Sequence, residues 1–598
     1  MSQNRPYAGQ YLRVDLSSGT SSRHPLAETA LQTWLLGSGF AAWLFSQEMD
    51  AARPADDPRS PLLIFNGLLS GTFAPTGCRS SWCGRSPLTG IWGEANMGGH
   101  WGAELRFAGL DGLVITGRAA QPVYLYIHDA QVEIRTAAQA WGMNHYDAYD
   151  HLRAQTDPKA QVACIGTAGE KQVRFASVMQ GGRHHARTAG RTGMGALLGS
   201  KNLKAIVTRG QARPGYANET GLRAAVKRQS AQIKEFAVGL SKLGTAGGVP
   251  GAERLGDLPL RNWRDGNWAA AEQISGQKIS ETIFGRHTFC YACPIGCGKT
   301  VNITEGLYAG TGGHGPEYET LAGFGGLLLN GDLNSIAHIN DLCNDYGLDT
   351  ISTAAVIACA FEAYERGLLT AAESDGLALT WGNAAAVVAC VHAIAQRAGL
   401  GDRLAAGVHD LALALDAPEL DLTVKKLELP FHDPRAFLSL AANYATANRG
   451  ACHMESCSYW PGYGQRVEGL DFPGDPDRLR QAGAGAFAVR YQDYVSVYNP
   501  LGLCKFIIKG HVGPAQIAEI VEQATGWAWD ADAVMAAGAR IFNLKRQINE
   551  RYGIRARDDT LPTRLLTHAR PSGGAAGSLP DLPLILDEYY AARGWERR

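Results

Sequence analysis

The chain has 598 residues, with 56 Lys and Arg against 57 Asp and Glu. A net charge of −1, with basic residues spread rather than clustered, argues against nucleic acid or an anionic membrane surface as a partner. So long a chain outgrows a single core, which predicts about three or four domains and room to bury a large cofactor.

The longest apolar runs, such as Ser352 to Ala360 and Ala384 to Cys390, are too short to span a bilayer, and the start Met1 to Pro6 lacks an apolar signal core. Twelve cysteines in a chain this large fit a reducing compartment better than a disulfide scaffold. We therefore expect a cytoplasmic protein. Residues 1–210 alternate as strands do: Leu12, Val14 and Leu16 share a face, as do Val123, Leu125 and Ile127, then Val132 and Ile134. From residue 211 the period becomes helical, with Ile336, Ile339, Leu342 and Cys343 on one stripe and Val534, Ile541, Phe542 and Ile548 on another. Turn-forming residues between Gly210 and Gly215 and around Asp416 to Pro418 mark boundaries. The expectation is an α+β protein in three parts: a β-rich domain over 1–210 and two mainly helical ones over 211–417 and 418–598. No internal repeat of fixed period is visible.

The strongest chemical signal is Cys290-Tyr-Ala-Cys293-Pro-Ile-Gly-Cys297, followed by Cys504 far along the chain. Thiolates are soft ligands, and three on one tight loop with a fourth from a distant segment suit an iron–sulfur cluster. The C-x2-C-x3-C order reverses that of the radical enzymes that use S-adenosylmethionine. Zinc and unligated cysteines stay open at this point, although zinc sites usually show a second paired knuckle, absent beside Cys504. Cys78, Cys83, Cys164, Cys343, Cys359, Cys390, Cys452 and Cys457 default to ordinary core or loop positions.

Glycine numbers 72, above the roughly 7% of an average protein, and concentrates in motif loops. In Asn96-Met-Gly98-Gly99 and Gly193-Met-Gly195 the missing Cβ atoms let backbone N–H groups approach a phosphate or a flat heterocycle. A short motif recurs, Asn344-Asp-Tyr-Gly347-Leu348-Asp349 and Asn499-Pro-Leu-Gly502-Leu503-Cys504, which suggests two similar ligands. For the first copy a plain helix C-cap at Gly347 is the alternative.

These segments, with Gly67 to Thr72, Arg85 to Gly90, Gly102 to Gly109, Ile165 to Glu170, Gly193 to Ile206, Gly315 to Thr320, Gly347 to Ser352, Val424 to Pro430 and Asn448 to His453, resemble the aldehyde ferredoxin oxidoreductase family over essentially the whole chain. The resemblance implies a tungsten, occasionally molybdenum, ion held by two pterins on a β base and covered by helical domains. A [4Fe-4S] cluster on Cys290, Cys293, Cys297 and Cys504 would sit beside one pterin. It implies that Arg79, Arg187 and Arg191 pair with pterin phosphates, each having a surface ion pair as its alternative. The Asn96 carbonyl would help hold Mg2+ between the phosphates. The two repeated loops would hold the pterin amino-pyrimidine edges, with Asn344 and Asn499 where the family has carboxylates, so charge assistance is lost there.

The same resemblance places Glu319 and His453 beside the metal. Glu319 is then the general base of aldehyde oxidation and His453 the donor that polarises the carbonyl. Glu317 stands two residues away as a competing carboxylate. A helix cap and a satisfied buried histidine are the alternatives. At the positions where some relatives bind a mononuclear iron between subunits this chain has His338, Asp341 and Val388, an incomplete ligand set. Any homo-oligomer is therefore expected without that iron. Electrons would leave to ferredoxin or a similar electron-transfer subunit. The alternatives are reduction of an aromatic or other acyl thioester, suggested by Cys83, Trp92 and Trp101 as bulky loop residues near the cofactor, and a non-catalytic iron–sulfur subunit.

Overall fold

The structure, a computed structural model, describes residues 4–129, 131–470 and 477–596. Met1 to Gln3, part of the segment read as lacking a signal core, lie outside them. Two six-stranded sheets fill the first third of the chain. The first is built from β1 (Gln10–Asp15), β2 (Thr20–Pro25), β3 (Leu62–Asn66), β4 (Ser80–Arg85), β5 (Trp92–Met97) and β6 (Gly112–Thr116). The second comprises β7 (Val123–His128), β8 (Gln131–Thr136), β9 (Gln161–Cys164), β10 (Val178–Gln180), β11 (Arg187–Ala189) and β12 (Leu203–Arg209).

Strand order is β2-β1-β6-β3-β4-β5 in one sheet and β8-β7-β12-β9-β10-β11 in the other. Every pairing matches: a hairpin, a parallel join of its first strand to the sixth, then antiparallel neighbours. The base is thus a topological duplication. No fixed-period repeat announces it, because two helices separate β2 from β3 whereas one, His145–Gln155, separates β8 from β9.

The alternation of apolar residues determines how the sheets stack. Leu12, Val14 and Leu16 face Leu125 and Ile127 across one shared core. Tyr11, Leu63 and Phe65 point the other way, into the large helical core, while Tyr124, Val162 and Val207 pack under helix His145–Gln155. The expected helical stripes hold as well: Ile336, Ile339 and Cys343 are buried on Leu333–Tyr346, and Val534, Ile541 and Ile548 on Ala531–Arg551. No helix among the described residues is long and apolar enough to cross a membrane.

Two features depart from the sequence reading. The first helical region contains a three-stranded sheet, β13 (Phe284–Thr288), β14 (Gly298–Asn302) and β15 (Gly312–His314), and the cysteine triplet occupies the β13–β14 connection. Cys83, Trp92 and Trp101 are not loop residues at a site. Cys83 and Trp92 lie on β4 and β5 and Trp101 opens a helix, all wholly buried. Trp101 packs on Trp82, its indole N–H bonding the Ile206 carbonyl at 2.9 Å, while Trp92 packs on Phe45.

Candidate active site and cofactor cradle

The duplication reaches the helical domains through the two repeated loops. Arg79, just before β4, donates its backbone N–H to the Gly502 carbonyl at 3.0 Å, and Ser177, just before β10, donates to Gly347 at 2.8 Å. Gly347 and Gly502 both end helices in the left-handed conformation, φ 74° and 77°. The approach beneath each is close. A Cβ on Gly67 would meet Gly502 N at 1.9 Å, and one on Gly166 would meet the Tyr346 carbonyl at 2.4 Å. Each half of the base therefore carries one copy of the motif in the same manner.

Between base and helical domains lies a cavity of about 680 Å3. It collects Arg79, Asn96, Gly98, Arg187, Arg191, Cys290, Cys293, Cys297, Glu319, Asn344, Leu348, Asp349, His453, Asn499, Leu503 and Cys504 on one wall or another. Gly99, Gly193, Gly195, Gly347 and Gly502 are outside its lining. At Gly195 the missing side chain serves packing instead, its N–H bonding Ala176 at 2.9 Å and a Cβ meeting Ser177 O at 2.5 Å.

The arginines are not surface residues. Arg79 bonds the Asn96 side-chain oxygen at 3.1 Å and Cys504 Sγ at 3.1 Å, Arg187 pairs with Glu317 at 3.2 Å, and Arg191 stands 3.4 Å from Asp349. Asp349 also caps helix Thr350–Glu365, accepting from Ile351 and Ser352. Asn499 donates to Glu94 at 2.6 Å, and Glu94 pairs with Lys545 at 2.6 Å. Burial pushes Glu94 up, but Lys545, then Asn499 and Arg449, outweigh it and hold the carboxyl at about 2.

The cysteines hang on base loops. Thr76 N–H bonds the Ala292 carbonyl and its hydroxyl accepts from Cys504 N–H, at 2.8 and 2.9 Å, while Tyr291 N–H reaches the Gly99 carbonyl at 3.1 Å. Cys78, assigned by sequence to an ordinary position, lines this cavity and hydrogen-bonds Cys290. That bond, with Arg187 and Arg79 adding to it against burial, draws Cys290 well below the usual thiol range. Burial pushes Cys293 up to about 11.

Glu319 stands in a helical turn, Tyr318–Leu321, that runs into a π-helical segment, Ala322–Leu327. Such irregular turns often mark functional positions. Its Oε2 accepts the Phe431 N–H at 2.8 Å and its Oε1 has no hydrogen-bond partner. Burial raises Glu319 above the ordinary carboxylate range, against the pull of His432, Phe431 N–H and Arg191. Glu317, by contrast, is engaged by Arg187 and by the Thr245 hydroxyl at 2.5 Å, so it is not the free carboxylate.

His453 Nε2 lies 3.6 Å from Glu319 Oε1, its Nδ1 is buried without a partner, and burial, then His432 and Arg191, drive its pKa well down. His432, which the sequence reading missed, sits at the same 3.6 Å, its ring centroid 5.3 Å from that of His453. The quoted motif stopped at Pro430, two residues short of it. Asp341 is occupied by Tyr146 at 2.9 Å and Arg183 at 2.8 Å, and His338 bonds Thr311 at 2.9 Å.

Whether the cavity fits the implied cofactor is tested by its unsatisfied polar atoms. Asn96 Nδ2, Arg79 Nε, Arg191 Nε and Nη1, His314 Nε2, Glu319 Oε1 and His453 Nδ1 line it, are buried and lack hydrogen-bond partners in the protein. Buried polar groups are normally paired, so this many marks a ligand site. Gly98 leaves open what a Cβ would fill, 3.4 Å from Cys290 Sγ and 3.6 Å from Arg79. Cationic side chains suit phosphates and the free Asn96 amide suits a heterocycle. The residues fit the group.

Fold and site define a protein with a cavity between a duplicated β base and a helical part, lined by arginines, by a carboxylate with two histidines and by four thiols of the repeated and triplet motifs. Residues 11–210 match the aldehyde ferredoxin oxidoreductase N-terminal domain and residues 222–598 match domains 2 and 3 of the same enzyme. The chain is 38% identical to the tungsten-containing aldehyde ferredoxin oxidoreductase of Pyrococcus furiosus, over 98% of this chain and 96% of that one, and 37% identical to that of Thermococcus kodakarensis at the same coverage. It is 28% identical to the WOR-like subunit of an aliphatic sulfonate oxidoreductase from Pyrococcus furiosus, over 99% and 95%. A chain of the BamBC active-site complex of benzoyl coenzyme A reductase, solved with 1,5-dienoyl-CoA, superposes with a TM-score of 0.84 at 24% identity, covering 99% and 95%, which shows the shared fold. The chain belongs to the aldehyde ferredoxin oxidoreductase family.

Proposed function

We propose that the protein is a tungsten or molybdenum bispterin oxidoreductase that converts aldehydes and water to carboxylic acids, releasing two electrons and two protons. The observation that carries this reading is the convergence of Glu319 and His453, 3.6 Å apart, in one cavity that Cys290, Cys293, Cys297 and Cys504 also line. The relatives at 37–38% identity support the choice of aldehyde.

The metal bispterin, when bound, supplies the two-electron acceptor; Arg79, Arg187 and Arg191 would hold its phosphates, with Mg2+ on the Asn96 carbonyl, and the two repeated loops its heterocycles. His453, kept neutral by burial, offers a ring N–H to the substrate carbonyl and makes its carbon more electrophilic. Glu319 takes the proton of the attacking water through its free Oε1. The cysteine quartet favours a multi-iron cluster over zinc. One tetrahedral zinc with bonds of about 2.3 Å draws its sulfurs to within roughly 4 Å of one another. Among the described residues the group of three or more ligand-type atoms within 4.8 Å of one another is Glu319, His432 and His453, and the four thiols form no such group. A single [4Fe-4S] cluster would pass electrons to ferredoxin or a partner subunit.

Reduction of an acyl thioester is the alternative: Cys83, Trp92 and Trp101 lie in the core and do not argue for it, while the likeness to the benzoyl coenzyme A reductase chain fits it. The test is anaerobic purification with quantification of tungsten, molybdenum, pterin, iron and sulfide. About one tungsten or molybdenum, two pterins and four irons per chain is expected, with viologen reduction by aldehydes. Iron without pterin in folded protein would establish the electron-transfer subunit instead, and zinc alone would remove the cluster.

A further inference from the structure

His432 belongs to no sequence motif read above, yet its ring is held by neighbours on several sides. Its Nδ1 meets Asp257 Oδ2 at 2.5 Å. Asp257 is fixed in turn by the Tyr463 hydroxyl at 2.6 Å and by the Asp433 N–H at 2.8 Å. The imidazole stacks on Tyr318 at 4.5 Å and 13°, and Tyr459 packs against it at 4.2 Å. The Tyr444 hydroxyl donates to its carbonyl at 3.0 Å. Nothing in this arrangement leaves the ring free to turn. Its Nε2 therefore points steadily toward Glu319 Oε1, which has no hydrogen-bond partner of its own.

Two neighbouring histidines stand at equal distance from that oxygen, but their surroundings differ. Behind His432 stands a carboxylate that can support a positive ring, whereas His453 has a buried, unpartnered Nδ1 and cationic neighbours in Arg191, Arg449 and Lys505. We propose that His432 is a positioning residue for Glu319 that shares its proton: Nδ1–H stays on Asp257, Nε2 receives the proton Glu319 has taken, and Glu319 returns to the carboxylate. The proton leaves the Glu319 oxygen and the Nε2 lone pair binds it, so an imidazolium and a carboxylate replace a neutral pair. The 3.6 Å gap closes on substrate binding, as long contacts at resting sites commonly do. The groups facing the pair are Asp257, Tyr318, Tyr444, Tyr459, Tyr463, His453 and Arg191.

This assignment rests on Glu319 being the base of the proposed reaction, so its test reads the carboxyl directly. In anaerobic holoenzyme, the infrared C=O band of protonated Glu319 is identified by its loss in Glu319→Gln and followed against pH. In His432→Asn the midpoint of that band should move up by about one pH unit, because an ionised Glu319 loses its cationic partner. Turnover should fall by about 10- to 100-fold with KM within twofold, its acid limb shifting with the band. His432→Gln, with an amide that reaches nearer Nε2, is the second variant should the first not fold. An unmoved midpoint in either folded variant overturns the assignment. A shifted band in protein that oxidises no aldehyde would instead sustain the pair and sink the proposed reaction.

Discussion

Glu319 occupies the first turn of a helix, where the dipole favours a carboxylate, yet it is raised, because burial in a site with one unsatisfied oxygen outweighs that effect. A base must be deprotonated to act, so turnover should increase as pH rises through the elevated Glu319 value. The acid limb should therefore lie above the ordinary 4.5. His453, driven the other way, is neutral across that range and adds no limb. Glu319→Gln should reduce kcat by about 100- to 10,000-fold while leaving bound metal and pterin unchanged. An acid limb at or below 4.5 in the wild type, measured by viologen reduction, would remove Glu319 as the base.

At the scale of elements, Asn499 shows how a departure from the family pattern is accommodated. The opening position of the second loop has an amide because β5 already supplies a carboxylate: Glu94 accepts from Asn499 and pairs with Lys545 of helix Ala531–Arg551. With a native value of about 2 against an ordinary 4.5, Glu94 contributes about 3 kcal/mol that is present above pH 4.5 and lost as pH falls toward 2. Asn499→Asp sets a second carboxylate where the donor was. It should lower stability by about 2–4 kcal/mol at pH 7, and the double variant with Glu94→Gln should recover most of that in thermal unfolding. A neutral single variant would show that the pair does not hold the loop.

Legibility in the sequence followed the same divide. Leu12, Val14 and Leu16 revealed their sheet because burial on one face writes a period of two. Phe284 to Thr288 did not, since four of the five residues of that edge strand are exposed and carry no apolar alternation. Cys290, Cys293 and Cys297 were readable from spacing alone. Cys78 and His432 were not, because each joins the site through contacts with residues 212 and 113 positions away that only the folded chain creates.

For the whole molecule the consequence lies in the duplication. Two halves of the base, each bearing one N-x-x-G-L loop through the same hydrogen bond before its fourth strand, present two equivalent loops to one cavity. The proposed cofactor, bound there, would satisfy buried groups contributed by the base and by the helical part, so binding would stabilise both by mass action. Cofactor-free protein should therefore melt at a lower temperature. Its extra hydrogen exchange should concentrate in Asn344–Asp349 and Asn499–Cys504, not in β3 or β9, whose ladders close without a ligand. The two loops differ at their closing residues, an aspartate paired with Arg191 and a cysteine bonded to Arg79, so their absolute rates need not agree. The decisive comparison is the gain in protection on loading: two pterins protect both loops, whereas protection of one alone would mean a single pterin and an idle second seat.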